Sequence, residues 1–419
     1  MLTRFRIKSF KSIKEQEVRL PKLTVLIGPN SSGKSNFIEA LQCLSRLVTG
    51  KTIYDAFQEP TRGDILEYFA FPGGGLEELL KEDKAIFELE ADIKSKKDAV
   101  NNPDYIYRVQ IGVIPQSGRL FVQDEYLQHY THQGKKVKES GHAPKIKKKD
   151  DKFVIRTSGS SARTRYENIE GNKTIASDRL YSGELYRTND SLRKEISEWR
   201  TYYLDPKVSM RISSSPKEVS DIGVMGENLS PFLYRLSKEK TKYFDAVKRK
   251  LRSIIPSVND IKVDLDTFRG VINLSIIQDN IAYSSKVASE GTLRVLSLCA
   301  ISLNPWSSSL IAFEEPENGV HPRRLELIAE LLVSLAIDQD KQVIVTTHSP
   351  LFCKLIYHAK EKYPQDVAIR KVIKKDSWTF FEDFDPLPIF RDKSVRDALS
   401  SPTEDGIIDE LIMRGFLDA

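Results

Sequence analysis

Apolar and charged side chains alternate from the first residues of the chain. "TRFRIKSF" and "EQEVRL" carry the pattern of strands buried on one face. "LTVLIG" follows as an unbroken apolar run, as expected of a strand covered on both faces. The period then changes. Phe37, Ile38, Leu41, Leu44 and Val48 recur at helical spacing and predict a helix from Ser35 to about Val48. Strand patterns return at 85–93, 105–114 and 119–127 and predict an antiparallel sheet. From about 178 to 255 the pattern is helical, clearest in "SLRKEISEWR" and in "NLSPFLYRLSKEKTKYFDAVKRKLRSII", which stops at Pro256. Short strands are expected at 260–283. From about 286 to 373 helices and apolar strands alternate, which predicts a parallel sheet with helices on its faces. The expected architecture is thus α/β, with the sheet assembled from both ends of the chain. An antiparallel β lobe and a helical insertion lobe fill the middle. The expected boundaries are 1–177, 178–259 and 260–419.

Composition narrows the class without deciding it. The chain has 419 residues, 29% charged and 40% hydrophobic, as in soluble globular proteins. A net charge of +5 is too slight to argue by itself for a nucleic-acid partner. Cys43, Cys299 and Cys353 lie far apart, without the spacing of a zinc site or a disulfide framework, and suit a reducing cytosol. The N-terminus reads as a strand and not as a signal peptide, and no apolar run approaches the roughly 20 residues of a membrane span. A cytoplasmic protein without a membrane partner is expected. There is no internal repeat and no heptad run of coiled-coil length.

Chemistry enters at "VLIGPNSSGKSN". Gly28, Pro29, Asn30, Ser31, Ser32, Gly33, Lys34 and Ser35 complete a GxxxxGK[ST] pattern, with Asn36 next. The glycines let successive backbone N–H groups curl around phosphates, and the following helix turns its positive end toward them. Lys34 suits the β- and γ-phosphates of ATP, and the Ser35 hydroxyl suits Mg²⁺. The alternative is a coincidental Gly/Ser turn, which the flanking strand and helix disfavour.

A second motif raises an electrostatic problem. "SSLIAFEEPENGVHP" delivers Glu314 and Glu315 side by side after an apolar strand. Adjacent carboxylates repel and resist desolvation. A Mg²⁺–nucleotide would offset that charge, with Glu314 in the metal's shell and Glu315 orienting and deprotonating the attacking water. Pro316 is expected to keep Glu315 extended. The alternative is an exposed acidic turn. In "VASEGTLRVLSL", Ser289, Glu290 and Gly291 open a helix, where small residues can grip an anion or serve as an ordinary N-cap. In "VIVTTHSP", His348 follows an apolar strand and could bond a γ-phosphate; it could equally be a satisfied histidine.

The order of these motifs resembles the head of ABC-type ATPases. "FKSIKEQEVRLPKLTVLIGPNSSGKSNFIEAL", "GVMGENLSPFLYRL", "SEGTLRVLSL", "EEPENGVHP" and "VTTHSP" look most like the RecF and OLD-like group of AAA/ABC ATPases. The resemblance implies a P-loop NTPase fold, ATP and Mg²⁺ as ligands, and ATP hydrolysis. It implies Walker A at Gly28–Ser35, a signature at Ser289–Gly291, Walker B at Glu314 and Glu315, and a switch histidine at His348. Glu317 and Asn318 fall in the D-loop region, and Gln58 is a weak candidate for the Q-loop. Two features depart from the common pattern: Glu314 stands where many relatives carry Asp, and the signature is Ser-Glu-Gly. The resemblance further implies a homodimer, or a larger oligomer, closed head to tail on ATP.

No effector is visible in the sequence. About 250 residues separate Lys34 from Ser289 without sustained heptads, which argues for a compact lobe and against a long coiled-coil arm. Asp383 and Asp385 share a DxD spacing, read as a solvated acidic turn, and His129 and His132 lack a third metal ligand nearby. The lysine-rich stretch 134–152 reads as a surface loop and makes DNA a possible partner, with Lys145, Lys147, Lys148 and Lys149 as candidate phosphate contacts. Three readings stay open. One is an ATPase controlling a separate nuclease or toxin in bacterial antiphage defence, similar to Septu and retron-associated ATPases. The others are a RecF-like repair or replication ATPase, and an ATP-binding scaffold that sequesters a toxin with little turnover.

Overall fold

The computed structural model describes residues 1–58, 63–70, 75–94, 104–130, 143–158, 163–168, 171–306 and 308–384. His132, Asp385 and residues 134–142 of the lysine-rich stretch lie outside them. The chain divides into two compact units, each gathered from separate stretches. One comprises 1–21, 28–199 and 370–383; the other comprises 22–27, 200–369 and 384–419.

The first unit is built on an eight-stranded antiparallel sheet. Its strand order is Ile13–Arg19, Leu2–Phe10, Ala85–Ile93, Asp104–Ile114, Arg119–Tyr130, Ile146–Lys149, Lys152–Arg156, Thr164–Asn168. Alternation sorts its faces. Phe5 and Ile7 are buried, while Arg4 reaches Glu17 (2.8 Å), Glu90 (2.6 Å) and Asp92 (2.7 Å) on neighbouring strands. The predicted helix runs Lys34–Thr49 and packs its apolar stripe on this sheet, with Phe5 and Phe37 edge to face at 5.6 Å.

A carboxylate lies inside this unit. Glu125 is fully buried and accepts bonds from the Ile175 and Ala176 amides (2.6 and 2.8 Å) and the Tyr107 hydroxyl (3.0 Å). It thereby ties the sheet to segment 172–178, whose Thr174 hydroxyl donates to the Leu47 carbonyl near the end of the Lys34–Thr49 helix (2.7 Å).

The lysine-rich stretch departs from expectation. Its described end is a hairpin: Ile146–Lys149 pairs with Lys152–Arg156 around a turn at Asp150 (φ 54°). Ile146 and Ile155 are buried opposite one another, and that pairing overrides the charge of the run. Lys145 Nζ is engaged with the Thr157 carbonyl (3.1 Å) and Lys148 Nζ with the Gln123 carbonyl (3.0 Å). Two of the four proposed phosphate contacts are thus partly occupied by the sheet itself.

The second unit is built on a sheet flanked by helices, whose three central strands, Leu310–Glu314, Gln342–Thr347 and Leu23–Ile27, pair in parallel. Trp199–Tyr202, Leu310–Glu314, Gln342–Thr347, Leu23–Ile27 and the start of Val367–Lys375 lie side by side in that order. The division into units cuts this last strand after Ile369. The three central strands are buried along nearly their whole length, as their unbroken apolar runs require. Helices Glu290–Ser302, Leu325–Ile337 and Pro350–Lys362 cover them through Leu293, Leu296, Ile328, Leu332, Phe352 and Ile356. A small antiparallel sheet follows the order Val258–Asp266, Val271–Gln278, Ile281–Ser284. The single long helix expected before Pro256 is two, Leu229–Glu239 and Thr241–Ile254, because Lys240 leaves helical geometry (φ −139°, ψ 52°).

Burial pushes the Glu125 carboxyl from an ordinary 4.5 up to about 7, against the pull of its three donors. The folded state therefore holds a proton that the unfolded state releases. The stabilisation is complete below about pH 4.5 and is lost as pH rises through about 7. Glu125→Gln is expected to flatten this part of the stability–pH curve in urea titrations. It should also cost about 1–3 kcal/mol, because an amide –NH₂ opposes a buried N–H.

Candidate nucleotide site

Residues 28–35 leave the strand Leu23–Ile27 and enter the helix Lys34–Thr49. The turn is shaped by close approach. A Cβ on Gly28 would stand 2.2 Å from the Val372 carbonyl oxygen, so no larger residue fits. Gly33 caps the helix at φ 103°. The hairpin Val367–Lys375 and Trp378–Asp383 supports the turn: Thr379 Oγ1 donates to the Ser32 carbonyl (2.8 Å) and lies 2.6 Å from Ser12 Oγ. Ser12 Oγ in turn accepts from Asn36 Nδ2 (2.7 Å). Lys34 is buried, and its ammonium donates to the Gly28 and Pro29 carbonyls (2.7 and 2.8 Å). Ser32 Oγ is buried without a partner. An orphan hydroxyl, a held lysine and a cradle that a Cβ would fill all suit a phosphate chain.

The acidic half belongs to the other unit and has its own geometry. Leu310–Glu314 pairs in parallel with Gln342–Thr347, Glu314 opposite Thr346. Gln342–Thr347 pairs in parallel with Leu23–Ile27, Thr347 opposite Ile27. The three strands therefore finish in register. Glu315, His348 and Gly28 are each the next residue in the chain beyond one of these ends.

Glu315 does not adopt the extended geometry expected before Pro316. Its φ is 46°, in the left-handed region. Tertiary bonds override the local preference. Its N–H donates to the Thr346 carbonyl (3.0 Å), and its carbonyl accepts from the Asn318 amide (3.1 Å) and Arg294 Nη1 (3.2 Å). Its side chain is partly buried. Oε1 lies 3.0 Å from His348 Nδ1, and Oε2 accepts from Asn318 Nδ2 (2.6 Å). Glu315, Asn318 and His348 thus form one bonded group, with His348 on its exposed side.

Glu317 is buried beside them. Thr347 Oγ1 donates to its Oε1, while Oε2 has no partner. Burial raises this carboxyl above its usual range, the Thr347 bond opposes that, and the nearby charge of Glu315 adds to it.

Ser289 caps the helix Glu290–Ser302. Its Oγ accepts from the Thr292 amide (3.1 Å) and lies 2.7 Å from Thr292 Oγ1. A Cβ on Gly291 would stand 2.6 Å from the Gly319 carbonyl oxygen, so the start of this helix presses on the turn after Asn318. Gln58 lies beyond the Lys34–Thr49 helix, where its carbonyl accepts from Arg46 Nη1. Asp383 is ion-paired with Arg370, and His129 lies on the strand Arg119–Tyr130. Among the described residues no group of three or more His, Cys, Asp and Glu side chains is placed to hold a metal ion. Mg²⁺ takes hard oxygen donors, and the Ser35 hydroxyl in the phosphate turn and the Glu314 carboxylate in the acidic half are each of that kind.

Residues 23–354 match the model of the AAA_21 family, described as "AAA domain, putative AbiEii toxin, Type IV TA system". The chain belongs to this family. No curated protein matches the sequence. A structure described as "SmcHead bound to the C-winged helix domain of ScpA" aligns over 93% of this chain and 99% of its own, at 13% identity and a TM-score of 0.53. The "SMC head domain from Thermotoga maritima" aligns over 92% and 99%, at 13% identity and a TM-score of 0.44. The fold is thus the P-loop NTPase fold of ABC-type heads, and with the AAA_21 match the chain is an ATPase of the AAA/ABC type. Among the described residues no helix is long and apolar enough to cross a membrane.

Sequence reasoning passed over two residues that shape these halves, Arg294 and Thr379. Arg294 is masked by its place in a helix of apolar periodicity, and Thr379 lies more than 340 residues from the turn it supports. Thr379→Ala removes one bond to the Ser32 carbonyl and one contact with Ser12. ATP affinity measured by calorimetry should fall about three- to tenfold, while thermal stability changes little.

Proposed function

We propose that this protein is a Mg²⁺-dependent ATPase switch whose two copies close head to tail on ATP and control a separate effector. The reading rests most on the bonded group of Glu315, Asn318 and His348 at the end of strands in register with the one that leads into the phosphate turn. Each residue then has a task. The amides of 28–36 and the Lys34 ammonium hold the β- and γ-phosphates. Ser35 and Glu314 hold Mg²⁺, which when bound would neutralise charge on the phosphate oxygens. Glu315 Oε1 takes a proton from the attacking water, and Asn318 and His348 fix the carboxylate's direction. His348 is exposed enough to meet the γ-phosphate and report its loss. Ser289 and Gly291 would meet the triphosphate held by the second copy, exchanging the N-cap bond for a phosphate oxygen. The γ-phosphate then makes contacts in the closed pair that are absent in the open one, which is what a switch requires.

The effector is proposed to be a nuclease or toxin of a bacterial antiphage system. The family description names a toxin and a type IV toxin–antitoxin system, and this supports a toxin-linked role over RecF-like repair. The subgroup resemblance to RecF and OLD-like ATPases belongs to the same proposal, as does a cytoplasmic location. Glu315→Gln should lower kcat at least a hundredfold while ATP binding stays within about threefold, measured by phosphate release and calorimetry. Equal, slow turnover in both proteins would instead leave the ATP-binding scaffold as the reading.

A further inference from the structure

The eight-stranded sheet of the first unit ends on Thr164–Asn168, a strand bonded on one side only. It pairs with Lys152–Arg156 without a register shift, and among the described residues no strand pairs with its other side. An open edge of this kind is a template for another strand. Folds blunt such edges with a proline, a bulge, a covering segment or charges that repel a second strand. "TRYEN" has no proline and no bulge. Nor is it covered: Thr164, Arg165, Tyr166 and Asn168 are exposed, Tyr166 to 60%. Its charges remain to be read.

The backbone bonds decide what the edge offers. The Thr157 amide donates to the Arg163 carbonyl (3.0 Å) just before this strand. Bonding direction alternates along a strand, so Arg165 and Glu167 also turn their backbone groups inward, toward Lys152–Arg156. Thr164, Tyr166 and Asn168 therefore turn N–H and C=O outward. A second copy related by a two-fold axis at Tyr166 sets Tyr166 on Tyr166 and Thr164 on Asn168, all as hydrogen-bonded pairs. Arg165 then faces Glu167 of the second copy, twice, at the closer non-hydrogen-bonded positions. Sliding the copies by two residues either way sets Arg165 on Arg165 or Glu167 on Glu167. The charges thus attract a second copy and also specify its register.

The surroundings suit a contact. Glu167 is hydrogen-bonded to the Tyr181 hydroxyl of its own chain, which braces the carboxylate. Leu180, next in the chain, is 72% exposed. Leu185 is 59% exposed, and its carbonyl accepts from the Ser158 amide (2.6 Å), just past the end of Lys152–Arg156. Apolar area therefore accompanies the open edge.

We infer that this edge joins two copies of the chain into one continuous sheet, through strands antiparallel about Tyr166. The contact lies within the first unit and involves no nucleotide, so it is separate from the closure proposed above. A chain that makes both contacts has two surfaces for its own kind, and assemblies larger than a pair follow.

Sedimentation equilibrium of the full chain in EDTA, without nucleotide, is the test. The wild type should show a reversible dimer. Arg165→Glu and Glu167→Arg each set like charges opposite one another, and each alone should weaken that dimer at least tenfold. Mixed in equal amounts, the two variants should recover it, because the acidic edge of one meets the basic edge of the other. Recovery also shows that both variants fold. Both changes in one chain restore the complementarity and should behave as the wild type. A wild-type chain that stays monomeric without nucleotide overturns the inference and leaves ATP-driven closure standing; an edge kept for an extended peptide of another protein gives that same result. A dimer that neither reversal weakens, or variants that stay apart when mixed, also overturns it.

Discussion

The site depends on a register. Leu23–Ile27 pairs in parallel with Gln342–Thr347, and Leu310–Glu314 pairs on the other side of the same strand. Residues about 320 apart in sequence are hydrogen-bonded neighbours as a result. A slip by one residue would turn each strand's side chains to the opposite faces, and burial on both faces forbids it. The pairing therefore fixes where each chain segment leaves the sheet. In open α/β sheets ligands bind beyond the carboxyl ends of the strands, which is where the phosphate turn, the paired acids and the histidine all begin.

Two of these exits carry a non-glycine residue at positive φ, Ser31 (65°) in the phosphate turn and Glu315 (46°). Glu315 is a non-glycine residue with positive φ immediately before a proline, a conformation that costs free energy and needs support. Support comes from bonds to Thr346, Asn318 and Arg294. Arg294 lies on the helix that Ser289 caps, where burial lowers its affinity for a proton. The helix that would meet a partner's nucleotide and the carboxylate that would act on water are thus joined by one hydrogen bond within the same unit.

Much of this was readable in the residues because the signals are local. A glycine-rich turn between an apolar strand and an amphipathic helix needs only nine consecutive positions, and the structured helix begins at Lys34, one residue before the predicted start. Continuous apolar runs likewise marked Leu310–Glu314 and Gln342–Thr347. What escaped is set by distant partners. The hairpin inside the lysine-rich run depends on Ile146 meeting Ile155, and charge hid that pattern. The backbone of Glu315 follows from bonds to two remote residues, Arg294 and Thr346, and to Asn318 in the turn that follows, and not from the proline beside it. Thr379 has no local signature, since its task is defined only where a hairpin from the far end of the chain meets the turn.

In the proposed function the phosphate turn and the strand-end acid serve one metal-bound triphosphate. Calorimetric titration of ATP with and without Mg²⁺ tests it most directly, comparing the wild-type chain with Glu314→Gln. Mg²⁺ should tighten ATP binding to the wild type by about tenfold or more. Glu314→Gln should lose most of that gain and bind ATP in EDTA as the wild type does. An unchanged Mg²⁺ effect in Glu314→Gln would mean that the acid and the phosphate turn do not share a ligand.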